Sequence, residues 1–246
     1  YPLYGAIALS IYKGLDGQTA GDYVVCTSIG YERLSDGEID IFFGARPSKA
    51  QVETAAAKSV EFRLMPIGRE AFVFFVNSDN PVDNLSVEQI RDIYRKKISN
   101  WRAVGGRNKR IMPFQRPEDS GSQAVMTIRV MEGEKLPTPL IEEHSGTILS
   151  SGPRYSVAEY RNYSSAIGYS FRFFAGGKKP NDNIKLIAID GVEPTPANIR
   201  NGRYPFTADI YAVTTGDESA NTRKLIDWIL SEQGQNFVEQ CGYVRR

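Results

Sequence analysis

Short β-branched and aromatic runs alternate along this chain with stretches whose apolar positions recur at helical spacing. Residues 22–27, 39–43 and 72–77 read as strands, and helical patterns follow them over 28–34, 48–58 and 86–94. Such alternation predicts α/β layers, with helices packed on the faces of sheets. Two helix starts carry a capping box, Ser48-Lys49-Ala50-Gln51 and Ser86-Val87-Glu88-Gln89. In each, the serine accepts from the third helical N–H and the glutamine reaches back to the serine amide, which sets the boundary. A short helix is expected over 123–131. Residues 166–171, 184–189 and 209–213 read as strands, with a turn at Asp190-Gly191. The proline-rich segment 194–205 reads as a loop. At the end, 222–230 forms an apolar helical face and Ser231 caps a second helix bearing Phe237 and Val238. There is no internal repeat and no low-complexity tract.

The 246 residues suffice for one large domain or two lobes of ordinary size. Thirty basic and 29 acidic residues leave a formal charge of +1, so no global field draws the protein to nucleic acid or an acidic membrane. Any anion site must be local. Arg91, Arg95, Lys96, Lys97, Arg102, Arg107, Lys109 and Arg110 form a basic stretch around Tyr94 and Trp101, and it reads as a solvated face rather than a nucleic-acid surface. Cys26 and Cys241 are far apart and share one histidine, His144, which argues against zinc and leaves a disulfide open. No apolar run approaches the roughly 20 residues that cross a bilayer. The chain begins at Tyr1-Pro2-Leu3-Tyr4 without methionine, and the expectation is a processed chain whose targeting segment precedes it.

The richest chemistry lies in Phe114-Gln115-Arg116-Pro117-Glu118-Asp119-Ser120-Gly121-Ser122-Gln123. A guanidinium offers a rigid fork of donors, the hydroxyls of Ser120 and Ser122 add more, and Gly121 lets the backbone come close. A helix beginning there would aim its unpaired N–H groups at the same point, which makes a seat for a tetrahedral oxyanion. The competing reading makes Ser120 a helix cap and Arg116 a surface ion-pair partner. Asp119-Ser120-Gly121 also invites comparison with serine hydrolases. That chemistry needs a base in reach, and His144, among Glu142, Glu143 and Ser145, reads as an ordinary exposed histidine. No ligand cluster suggests a metal-dependent phosphatase. The expectation is a binding protein without catalysis, metal or cofactor.

Several segments together carry a resemblance. Asn80-Pro81-Val82-Asp83-Asn84-Leu85, Ile90-Arg91-Asp92-Ile93-Tyr94, Ile98-Ser99-Asn100-Trp101 and Val104-Gly105-Gly106 occur in order, followed by Arg116 with Ser120-Gly121-Ser122, then Ile167-Gly168-Tyr169 and Trp228-Ile229-Leu230-Ser231-Glu232-Gln233-Gly234-Gln235. Nearly end to end, the chain resembles the substrate-binding proteins of phosphate ABC transporters, whose anion motif is Arg-x-x-x-Ser-Gly-Thr.

The resemblance implies a two-lobed, type II periplasmic-binding-protein-like fold, with mixed sheets flanked by helices and hinge crossings near 69–74 and 204–211. Lobe I would comprise 1–70 and 208–246, and lobe II 71–207. Inorganic phosphate or a related oxyanion would bind in the cleft, held by Arg116, Ser120, Gly121 and Ser122 from one lobe and Thr27 and Ser28 from the other. The implied protein is a monomeric, extracytoplasmic, membrane-anchored lipoprotein that delivers its ligand to an ABC permease. Two departures stand out. The family's first strand would precede Tyr1. In Gly44-Ala45-Arg46-Pro47-Ser48, relatives often place an aspartate where this chain has Pro47, with Arg46 beside it. Such an aspartate accepts the proton phosphate retains near neutral pH and repels sulfate, which has none to offer. Arg46 is therefore a candidate donor, and Asp119 the first candidate for a replacement acceptor, ahead of Glu118 and Asp40. The alternatives are a sulfate-type oxyanion carrier and a surface or sensor module without transport.

Overall fold

The computed structural model of the protein describes residues 27–116, 121–137, 140–141, 163–173, 175 and 182–246. In chain order these form α1 (Thr27–Ser35), β1 (Phe42–Gly44), α2 (Lys49–Ala57), β2 (Arg63–Asn77), β3 (Asn84–Leu85) and α3 (Val87–Tyr94). After a 3-10 turn (Trp101–Val104) come β4 (Met112–Gln115) and α4 (Gly121–Val125), which runs on into a π-helical stretch, Met126–Val130. The remainder is β5 (Leu140–Ile141), β6 (Ala166–Phe171), β7 (Ile184–Leu186), β8 (Ala188–Ile189), α5 (Pro196–Arg200), β9 (Thr207–Thr214), α6 (Ala220–Leu230) and α7 (Glu232–Gln240).

These residues divide into two compact units, one holding 27–69 and 208–246 and the other 70–207. The chain passes between them twice, inside β2 and at the start of β9, and these two strands are hydrogen-bonded neighbours. In the first unit β1 pairs antiparallel with β9, with Phe42 opposite Val213 and Gly44 opposite Tyr211. Tyr31 and Leu34 of α1 pack on Phe42, Tyr211 and Val213, and Ile39, Phe62 and Leu64 close the cluster. The end of the chain returns to β2 through paired hydrogen bonds between Arg69 and Val244, 2.7 and 3.0 Å. In the second unit β2 pairs antiparallel with β6 and β7, while β4 lies between β6 and β5, parallel to both. A separate parallel pair joins β3 to β8. The core is aromatic: Phe72, Phe74, Tyr94 and Tyr169 meet at ring separations of 5.3 to 6.2 Å.

Both capping boxes form, at Ser48 and Ser86, and Ser231 caps α7 by accepting from the Gly234 amide. Several expectations are corrected. The strand expected over 72–77 begins at Arg63; Pro66 and the Arg69-Glu70 pair interrupt its apolar pattern, yet backbone pairing carries it through. The expected strand 39–43 shortens and shifts to Phe42–Gly44. Residues 22–26 lie outside the described residues, and Thr27, expected to end a strand, opens α1. The helix expected over 123–131 begins at Gly121 and widens to π geometry at Met126. The run 184–189 is two strands in different sheets: the Ile187 amide donates to the Phe74 carbonyl between them. Within the expected loop 194–205, Thr195 caps α5 and Pro196 occupies its first turn, where a missing N–H costs nothing.

Backbone packs closely at the corner between α6 and α7. A Cβ on Gly234 would lie 2.1 Å from the Trp228 carbonyl oxygen and 2.5 Å from the Ile229 Cα, backbone atoms that cannot swing away. Gly234→Ala is expected to destabilise the protein by about 3 kcal/mol through overpacking, read as a lower urea midpoint.

Candidate functional site

In open α/β sheets, ligands sit beyond the carboxyl ends of parallel strands, where successive helix starts converge. The carboxyl end of β4 is such a place, flanked by parallel β5 and β6 and leading through Arg116 to the start of α4. Arg116 is half-buried, Gly121 opens the helix and Ser122 is half-buried in its first turn. Glu118, Asp119 and Ser120 lie outside the described residues. The fold therefore brings Arg116, Gly121 and Ser122 to one end of one strand.

Sequence reasoning named these residues and missed what holds them. The Arg116 amide donates to the side-chain oxygen Oε1 of Gln123 at 3.0 Å and approaches the Tyr169 hydroxyl at 3.2 Å. Tyr169 donates its own proton to that Gln123 oxygen. The Gln123 amide donates to Gln115 at 3.3 Å, and Gln115 donates to the Pro137 carbonyl at 3.2 Å. From α3, the Tyr94 hydroxyl lies 3.3 Å from the Phe114 carbonyl, and burial pushes its pKa up so that it stays a donor. Arg91 of the same helix donates to the Val130 carbonyl at 2.7 Å, closing the end of the π-helical stretch.

The first unit holds the other candidates. Thr27 and Ser28 are the first two residues of α1, so their backbone belongs to its first turn. One turn on, the Tyr31 hydroxyl donates to the Ala45 carbonyl at 2.7 Å, which fixes the segment after β1 against α1. Burial keeps this phenol protonated against the pull of Arg46. Arg46 is exposed and lies over the Tyr211 ring, 5.2 Å from its centroid, with one N–H given to the Tyr211 hydroxyl at 2.8 Å. Tyr211 continues to Asp209 at 3.3 Å, and Asp209 pairs with Arg69 at 3.0 Å. Arg46 thus heads a relay across β9 to β2. Asp40, one of the substitutes considered for the missing acceptor, is exposed. Cys241 is buried, whereas Cys26 and His144 lie outside the described residues. Among the described residues no group of histidine, cysteine and carboxylate side chains is arranged to hold a metal, and no helix is long and apolar enough to cross a membrane.

One ionisable group went unnoticed in the sequence. Glu70, the first residue of the second unit, is 6% exposed, and its carboxylate accepts from the amides of Ala71 and Phe173. Burial outweighs those bonds and the nearby Arg172, and pushes its pKa from 4.5 to about 7.

Two α/β units crossed by two strands, with polar groups gathered at a strand's carboxyl end, define a binding-protein architecture. The chain belongs to the PBP superfamily: the family model described as a PBP superfamily domain matches residues 23–233. The phosphate-binding protein PstS of Bacillus subtilis is 26% identical over 217 residues, which cover 87% of this chain and 67% of that protein. Protein SphX of Synechococcus elongatus is 25% identical, over 99% of this chain and 74% of its own length. Among solved structures, a Clostridium perfringens protein described as a candidate phosphate ABC transporter substrate-binding protein, with bound phosphate, superposes with a TM-score of 0.66 and 27% identity, covering 89% of this chain and 84% of that one. An ABC-type phosphate transport receptor from Vibrio cholerae has the same fold, with a TM-score of 0.65 over 90% of this chain and 86% of that one at 20% identity.

The Glu70 shift carries a pH signature. Between pH 4.5 and about 7 the folded protein keeps a proton that the unfolded chain releases, so this residue lowers stability as pH rises through that window. Glu70→Gln keeps the acceptor oxygen and removes the titration. Its stability relative to wild type is expected to grow by about 2.5 kcal/mol from pH 5 to pH 8, measured by urea unfolding at each pH.

Proposed function

We propose that the protein is an extracytoplasmic solute-binding protein that captures inorganic phosphate, or a closely related tetrahedral oxyanion, for an ABC importer. The observation that carries this reading is Arg116 at the carboxyl end of β4, followed within six residues by the glycine and hydroxyl that open α4. A guanidinium grips two oxygens of one anion in parallel, and the helix start adds N–H groups directed at a third. Arg116, Ser120, Gly121 and Ser122 supply the donors in the second unit, with Asp119 beside them as the acceptor for the phosphate proton. In the first unit the opening turn of α1, with Thr27 and Ser28, and the guanidinium of Arg46 offer donors of the same kind. Relatives named for phosphate binding support the choice of anion. The protein acts as a monomer, without cofactor or covalent chemistry, and its partner is the membrane-embedded permease.

A sulfate-type carrier is the second reading, favoured by one observation. Pro47 stands where relatives often place a carboxylate, and the neighbouring charge is the guanidinium of Arg46. Titration calorimetry of anion-free protein separates the two: phosphate heat that sulfate does not reproduce between pH 5 and 9 supports phosphate capture, and a sulfate preference supports the alternative.

Arg116→Ala is expected to weaken phosphate binding on the order of a hundredfold or more, since a charge-assisted double contact in a dry site contributes a few kcal/mol. Circular dichroism should be unchanged; undiminished affinity would place the site elsewhere. Arg46→Ala separates a ligand role from a structural one: weaker binding assigns Arg46 to the anion, and a lower melting temperature alone assigns it to Tyr211.

A further inference from the structure

Three polar side chains are buried together beneath the carboxyl end of β4, each from a different element: Gln115 of β4 (5% exposed), Gln123 of α4 (8%) and Tyr169 of β6 (1%). Apolar residues of similar size would fill this space without any polar group to satisfy, whereas every buried amide or hydroxyl costs free energy unless it is paired. The pairings converge on one atom. The amide nitrogen of Arg116 lies 3.0 Å from the Gln123 oxygen and 3.2 Å from the Tyr169 hydroxyl. A backbone N–H can only donate, so it fixes which end of the Gln123 carboxamide faces it, and with that the direction of the whole chain. Tyr169 must donate to the same oxygen, Gln123 must donate onward to Gln115, and Gln115 to the Pro137 carbonyl.

We infer that Gln123 and Tyr169 are positioning residues for Arg116. They fix the backbone from which the guanidinium projects, so that the clamp is already placed before the anion arrives and less freedom is lost on binding. The arrangement also ties the clamp to the helix start, because Gln123 stands in the first turn of α4 while its oxygen holds the last residue before the connection. Arg116 and the opening N–H groups of α4 thus share one support. This inference rests on the phosphate reading above.

The test uses the full chain, freed of bound anion, with three variants and inorganic phosphate as the probe. Tyr169→Phe removes one hydroxyl without opening a cavity, Gln123→Met keeps the volume and removes the acceptor, and Ile199→Val removes a buried methyl group from α5, in the same unit and outside the network. Tyr169→Phe and Gln123→Met are expected to lower phosphate affinity about tenfold, the equivalent of one or two buried hydrogen bonds, and to speed exchange of the Arg116 amide hydrogen in anion-free protein. Ile199→Val should lower the melting temperature and leave affinity within about twofold. Gln123→Glu restores an acceptor oxygen and should recover much of the amide protection. Wild-type affinity in both network variants overturns the positioning role while leaving phosphate capture standing. Absence of phosphate heat from the wild type overturns the functional reading itself.

Discussion

A polar group buried at the end of a strand must find its partner inside the protein, and the second unit is arranged around that requirement. Tyr169 lies among Phe72, Phe74 and Tyr94, where no water can take its proton. Its hydroxyl turns toward an edge of this aromatic cluster that offers polar atoms, the junction of β4 with α4. Gln123 meets it there, and the amide of Arg116 completes the arrangement. Tyr94 solves the same problem against the carbonyls of Phe114 and Ile167, which docks α3 across β4 and β6. Arg91, one turn earlier on α3, grips the Val130 carbonyl. The stretch from Arg116 to Val130 is consequently held near both ends by side chains from neighbouring elements, and the change from α to π geometry at Met126 falls between those anchors.

Local signals in the sequence carried the elements whose ends depend on their own residues. Ser48, Ser86 and Ser231 announce helices because each serine bonds within three residues of itself, a contact no distant packing can alter. Ala166–Phe171 is apolar on both faces and sits between two partners, so its run reads as a strand without further help. The first half of β2 was illegible for the opposite reason. A proline and two charged residues argue against a strand, and only pairing with β9 and with Val244, from the far end of the chain, makes it one. The split between β7 and β8 depends likewise on which neighbour each half meets, β2 or β3. In α5, Thr195 and Pro196 are standard helix-start residues, but Pro194, Pro205 and Asn201-Gly202 outweighed them.

The candidate site divides along the same line. Arg116, Gly121 and Ser122 were visible because a guanidinium, a glycine and a hydroxyl so close together point to one chemistry. Gln123 adjoins them and was read only as a helix boundary, since its partner Tyr169 stands 46 residues away. Arg46 was visible as a charge beside a missing carboxylate, while its contact with Tyr211 spans 165 residues and has no local trace. Glu70 is the extreme case. In Arg69-Glu70-Ala71 it reads as half of a surface ion pair, yet Arg69 pairs with Asp209 and leaves the glutamate to the backbone.

Two departures from economical packing among the described residues fall where the chain changes course. An apolar side chain at position 70 would avoid burying a carboxyl, and apolar residues at 115 and 123 would leave fewer donors to satisfy. Both departures lie at structural transitions, one where β2 crosses from the first unit to the second, the other where β4 gives way to α4. Hydrophobic contacts are non-directional and tolerate small slips, but a hydrogen bond loses its strength within a few tenths of an ångström or a modest tilt. Polar residues in the core therefore fix position where apolar ones only fill space. Under the phosphate reading proposed above, this matters at the end of β4 because a guanidinium meets a tetrahedral anion in one orientation: its fork matches two oxygens only when its plane is set, and its plane is set from the backbone outward. On that reading, the free energy given up in burying Gln115, Gln123 and Tyr169 is the structural cost of a directed arginine, in a space that Leu and Phe could have filled.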